Sequence, residues 1–213
     1  MTAARHTIVK VCGLTRFEDA EHAIACGADW LGFIVSAGGP REIGADGMAA
    51  VVSRLPGATG VAVLAAVSPR EALTLAQRAG ASRLQLHRVS PSTWPADFPL
   101  PCAFVAAVDA DGRLIGELAP PPHLVHLDAA HPTLTGGTGV TLPWARLPGL
   151  CGDRPFMLAG GLDGSNVAEA IAIAHPFGVD AASRLEYSPG IKDPDRVKRF
   201  VEAARLADER SRG

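Results

Sequence analysis

Eight short apolar runs constrain what this 213-residue chain can fold into. They are TIVKVCG, WLGFIV, GVAVLAAV, RLQLH, CAFVAAV, HLVHLD, FMLAGG and GVDAAS. Most do not alternate polar with apolar residues, so they read as strands covered on both faces. Helical patterns separate them: RFEDAEHAIACG, GADGMAAVVSRL, SPREALTLAQRAG, GSNVAEAIAIA and PDRVKRFVEAARLADE. Several open on a capping residue and close on glycine, as SPRE…AG does. Repeated strand–helix units predict an α/β fold, a compact (β/α)8 TIM barrel. Its helices after strands five and six are eroded, because DADGRLIGELAPPP is a poor helix and TLPWARLPGLC carries prolines. An open doubly wound sheet is the competing architecture, although no G-x-G-x-x-G follows the first strand. Nothing resembling a linker divides the chain, so residues 1–213 read as one barrel domain.

Composition narrows the function classes. Hydrophobic residues make up 47% and aromatics only 5%, so a sizeable core must be built from Val, Leu, Ile and Ala. A net charge of −2 offers no sequence-wide case for nucleic acid or an anionic membrane. Cys12, Cys26, Cys102 and Cys151 are widely spaced, with no C-x-x-C pair, so no metal site is expected. The N-terminus MTAARHTIVKV lacks the apolar core of a signal peptide, and no apolar stretch is long enough to span a bilayer. The reading is a cytoplasmic protein with reduced thiols.

In such a barrel the C-terminal ends of the strands build the site. Strand one ends in Lys10 and Cys12. The second leads into an SAGGPR loop ending at Arg41. Gln85 and His87 close the fourth, and Asp128 the sixth. GGTG (136–139), AGG (159–161) and Ser183 follow later strands. Each has an ordinary explanation. A strand cysteine is usually a small core residue, a terminal aspartate usually a turn residue, and Arg41 can be a solvated loop arginine. Their convergence on one mouth is what argues for a site.

KVCGLTRFEDA, GFIV…PREI, LQLH, LDAAHPTLTGGTG, LAGGLDGSNVAEAI and VDAAS-x-x-E-x-x-PG-x-KD together resemble the phosphoribosylanthranilate isomerase family of tryptophan biosynthesis. The match runs nearly end to end. The resemblance implies an Amadori rearrangement of N-(5-phosphoribosyl)anthranilate to a 1-deoxyribulose product, with no cofactor, by a monomer or homodimer. Cys12 would be the general base and Asp128 the general acid. Lys10, Arg41, Gln85 and His87 would bind substrate, Arg41 facing the anthranilate carboxylate. Gly137, Gly160, Gly161, Ser183 and Arg184 would bind its phosphate. Cys12 needs thiolate character, which Lys10 is expected to favour. Asp128 needs a raised pKa, for which desolvation is the expected route.

Departures from the family pattern cluster around the binding shell. Ser-Ser-Gly-Val-Glu becomes Ala182-Ser183-Arg184-Leu185-Glu186, the glycine of QLHG becomes Arg88, and the second loop carries Glu42. Arg184 is expected either to reach the phosphate or to plug its pocket, on a backbone unlike the family's. A relative acting on another aryl-amino sugar, or a non-catalytic ligand-binding barrel, are the competing readings.

Overall fold

The computed structural model describes residues 6–129 and 142–210. Eight strands run parallel: β1 (Ile8–Val11), β2 (Trp30–Ser36), β3 (Thr59–Ala65), β4 (Arg83–His87), β5 (Cys102–Val108), β6 (Leu124–Ala129), β7 (Phe156–Leu158) and β8 (Gly178–Ala181). Each pairs with the next, and β8 returns to β1, closing the ring. Outside it lie α1 (Phe17–Ala25), α2 (Gly44–Val52), α3 (Pro69–Ala79), α4 (Leu147–Cys151), α5 (Val167–Ala174) and α6 (Pro194–Arg210). This is the (β/α)8 barrel that the apolar runs predict. No helix among the described residues is long and apolar enough to cross a membrane.

Local chemistry sets the helix ends. Ser68 accepts the Glu71 N–H ahead of Pro69 in the first turn of α3, and Gly80 closes it at φ 65°. Asp193 accepts the N–H groups of Asp195 and Arg196 at the start of α6. The helix loss expected after strand five is present. A two-residue strand, Leu114–Ile115, follows β5 and pairs back onto it, and among the described residues between β6 and β7 lie a single turn and the short α4. A further loss was not legible as such: β4 is followed by one turn, Pro91–Thr93. Prolines at 91, 95, 99 and 101 prevent a helix there. Trp94 covers the gap instead, its ring against Phe98 and edge-on to Phe104.

The runs look uniformly apolar because most strand residues are buried on both faces. Val9, Phe33, Leu64, Leu86, Leu127 and Val179 point outward into the layer shared with the helices. Inside, Trp30, Val61 and Met157 form an apolar base. Above them stands a polar layer. The Lys10 ammonium donates to Asp180 at 2.7 Å and to Gln85 at 2.8 Å, and His126 lies beside them. Lys10 is 1% exposed and Asp180 6%.

Breaking a buried pair strands its partner. Lys10→Met is therefore expected to lower unfolding free energy by about 3–5 kcal/mol, and Lys10→Met/Asp180→Asn to recover more than half of that loss. Urea denaturation measures both. A single variant as stable as the parent would mean that this pair does not hold the barrel interior.

Candidate active site at the barrel mouth

The mouth gathers Cys12 from β1's end, Arg41 after β2, Gln85 and His87 from β4, Asp128 from β6, Gly160 and Gly161 after β7, and Ser183 and Arg184 after β8. Alternation explains the strand members: residues two apart share a face, so Gln85 and His87 both point inward. Gly137 lies outside the described residues. Lys10 corrects the expectation of a substrate-binding lysine. Its ammonium is buried one layer below, spent on Asp180 and Gln85, and it does not line the mouth.

Lys10 nonetheless organises the site from beneath. Gln85 accepts from Lys10 with its oxygen, so its amide nitrogen must be the donor to His87 Nε2, 2.9 Å away. That leaves the His87 proton on Nδ1. Burial, then the neighbouring His126 and Lys10, pull His87 down to about 3, so it is a neutral imidazole at working pH.

The Cys12 thiol is buried and is pushed above its usual value, burial outweighing the opposing pull of Lys10. The expected thiolate is therefore not the resting form, burial acting first and the charge of Asp180 adding to it. Room for the sulfur comes from Gly32, where a Cβ would stand 2.7 Å from Sγ. Asp128 behaves as expected: burial, then the charge of Asp180, raise it to about 6, against one opposing N–H from Ala129. Gly160, at φ 92°, lets the next loop cross close by, since a Cβ there would meet Ala129 at 2.9 Å.

Arg41 is held, not loose. Its Nε and Nη2 donate to Glu186 at 2.8–3.0 Å, leaving Nη1 without a hydrogen bond among the described residues. Glu186 also accepts from buried Lys192, which donates as well to the Ala182 carbonyl. Burial alone would raise Glu186, but the two cations hold it below its usual range. The SAGGPR loop is pinned by Glu42, whose carboxylate accepts the N–H groups of Ala37 and Gly38.

Arg184 sits in the turn Ser183–Leu185 with no positive φ, a backbone that a residue with a side chain adopts without strain. Its Nη1 donates to Asp163 at 2.8 Å on the rim of the mouth. Arg88 does take a glycine's conformation, at φ 53°, which disfavours any side-chain-bearing residue. Asp180, Glu186 and Lys192 were missed as site residues. All three stood within one quoted motif, but spacing carries no sign that Asp180 meets Lys10 or that Glu186 and Lys192 meet at Arg41.

A closed parallel barrel with ionisable groups converging at its C-terminal end defines the class, a (β/α)8-barrel enzyme. Residues 9–203 match the family described as N-(5'-phosphoribosyl)anthranilate (PRA) isomerase. The isomerase of Azorhizobium caulinodans is 34% identical, across 96% of this chain and 94% of its own. That of Acidithiobacillus ferrooxidans is 36% identical, across 92% and 97%. The crystal structure of phosphoribosyl anthranilate isomerase from Thermotoga maritima superposes with a TM-score of 0.79 at 28% identity, covering 93% of this chain and 98% of that one. Another isomerase structure, in complex with reduced 1-(o-carboxyphenylamino)-1-deoxyribulose 5-phosphate, gives 0.75 at 25% identity over 93% and 98%. The chain belongs to the N-(5'-phosphoribosyl)anthranilate isomerase family, aldose–ketose isomerases of tryptophan biosynthesis.

The raised Asp128 has a stability cost. Below about pH 3 the carboxyl is neutral in folded and unfolded chains alike. Between there and about 6 the unfolded chain ionises first, so stability falls as pH rises. Asp128→Asn should therefore be more stable than the parent at pH 7 by about 2 kcal/mol more than at pH 4. Thermal or urea unfolding at the two pH values checks this. An advantage that does not grow with pH would show that Asp128 ionises normally.

Proposed function

We propose that this chain rearranges N-(5-phosphoribosyl)anthranilate, with Asp128 as acid and Cys12 as base. Asp128 gives its proton to the ribose ring oxygen as the C1–O bond breaks. The amine lone pair moves in to make a protonated imine. Cys12, as thiolate, takes the proton from C2, and the resulting enolamine becomes the 2-keto product. C1 is reduced and C2 oxidised within one molecule, so no outside electron carrier is needed. The observation that carries this reading is the placement of a carboxyl of raised proton affinity and a thiol in one mouth, within a chain matched to the family over residues 9–203.

Protonation follows from the two groups' order. Asp128 loses its proton near 6 and Cys12 above its usual value, so the resting pair is carboxylate and thiol. The reactive pair, carboxyl and thiolate, carries the same number of protons. Changing pH between the two values therefore does not change its share. Activity falls only when a second proton is added or the last one is lost.

Arg41 would hold the anthranilate carboxylate. Glu186 occupies its Nε side, and the Nη1 side supplies the second edge of a planar donor fork. The phosphate would lie on the backbone of Gly160, Gly161 and Ser183, with Arg184 supplying charge from its tether on Asp163. We place the reaction in the cytoplasm, in keeping with four free thiols.

Growth of a tryptophan auxotroph lacking its isomerase, restored by this chain, tests the function. In purified protein, kcat/KM should rise through about pH 6 and hold level across neutrality. Cys12→Ser should lower kcat far more than it raises KM. A near-normal kcat in that variant would assign the base elsewhere. Arg41→Ala should weaken substrates bearing an ortho-carboxylate by about 2–5 kcal/mol and leave an analogue without it almost unchanged. Equal losses for both would make Arg41 structural.

A further inference from the structure

A second cavity, of about 530 Å³, opens at the N-terminal end of the barrel, beneath the polar layer. Its volume is within the range of small-molecule sites, about 300–1,000 Å³. It exists because the proline-rich β4–β5 connection crosses this end without a helix, so that Phe98 and Leu100 line the space. Trp30, Leu124 and Phe177 supply further apolar wall.

Its polar lining holds the cations Arg83 and Lys10, the imidazoles of His123 and His126, which burial pushes down toward the neutral form, and Gln85; among the described residues no aspartate or glutamate lines it. Arg83 lies over the Trp30 ring, its Cζ 4.4 Å from the centroid. Among the described residues no carboxylate pairs with it and no acceptor takes its hydrogens. Burial alone acts on it, pulling its pKa down with nothing to offset the cost. A guanidinium stacked on a ring keeps its N–H donors in the plane, directed away from that ring. His126 is 1% exposed and its Nε2 has no hydrogen-bond partner. It lies 3.4 Å from Asp180 without the geometry of a bond. His123 Nε2 is also buried without a partner. Buried polar atoms are normally satisfied, and two that are not, on His123 and His126, belong to residues that line this mainly apolar space.

We infer that this cavity is a second ligand site, for a small flat aromatic carboxylate. The carboxylate pairs with Arg83, and the ring lies among Trp30, Phe98 and Leu124. A phosphate dianion fits less well, because the wall is mainly apolar and Lys10 is already neutralised by Asp180. The site is separate from the mouth, with Gln85 as the wall common to both. The inference does not depend on which reaction the mouth performs.

Calorimetric titration with 2-naphthoate and 2-naphthamide tests it, on the parent, Arg83→Met and Arg41→Ala. Arg41→Ala serves as the control for binding at the mouth. One saturable naphthoate site is expected on the parent, with the neutral amide about tenfold weaker or worse. Arg41→Ala should bind naphthoate unchanged and Arg83→Met about tenfold more weakly, with its melting temperature close to the parent's. No saturable binding, equal affinity for acid and amide, or loss of binding in Arg41→Ala alone would overturn the inference. Should Arg83→Met fail to fold, Arg83→Lys replaces it, since it keeps the charge and removes the planar fork. Undiminished naphthoate affinity in that variant would also count against the site.

Discussion

The Lys10–Asp180 ion pair is the interaction on which the rest of the interior depends. The β1–β8 register sets the two residues opposite each other, and closure of the barrel removes them from water. Such a pair adds little net stability, because desolvating two charges offsets most of their attraction. Its effect here is positional. Lys10 fixes the Gln85 amide, which fixes His87, and the charge of Asp180 helps to raise both Cys12 and Asp128. After burial, which acts first on both, one buried pair thus adjusts the proton affinities of Cys12 and Asp128 at the mouth.

A second assembly presets the mouth from the side. The hairpin formed by Glu186–Ser188 and Ile191–Lys192 brings Lys192 onto Glu186, and Glu186 onto Arg41. Thr15 reaches its turn at Gly190, and Asp19 accepts the Lys192 N–H. Loops after β1, β2 and β8 are therefore tied at one point. A guanidinium held in this way loses less freedom when it meets a ligand than a loose one would. The P-G-x-K-D segment contributes this clamp and then the cap of α6, which accounts for its compact run of unlike residue types.

The two ends of the barrel differ in kind, although both contain arginine. At the mouth Arg41 is partly neutralised by Glu186, and Arg184 by Asp163. At the base Arg83 lies over an aromatic face, with no ion-pair partner among the described residues. The same residue type therefore stands in balanced settings where several ionisable groups meet and in an unbalanced one where a cavity is mostly apolar.

The strands, their parallel arrangement and the end at which Cys12, His87 and Asp128 gather were legible in the sequence. Apolar runs of strand length and a period of two are local properties, and local properties survive into any fold that contains them. The proline-laden β4–β5 connection was equally local, and its content forbids a helix. What the sequence could not disclose depends on which distant residues meet. Lys10 reads as a mouth residue until Asp180, 170 positions away, claims its ammonium. Arg41 reads as a free loop arginine until Glu186 arrives. Cys12 reads as a thiolate until burial outweighs its lysine. The sequence determined the elements and the direction in which their side chains point. Only closure of the barrel decided the partners and the water content around each charge, and those set where every proton resides.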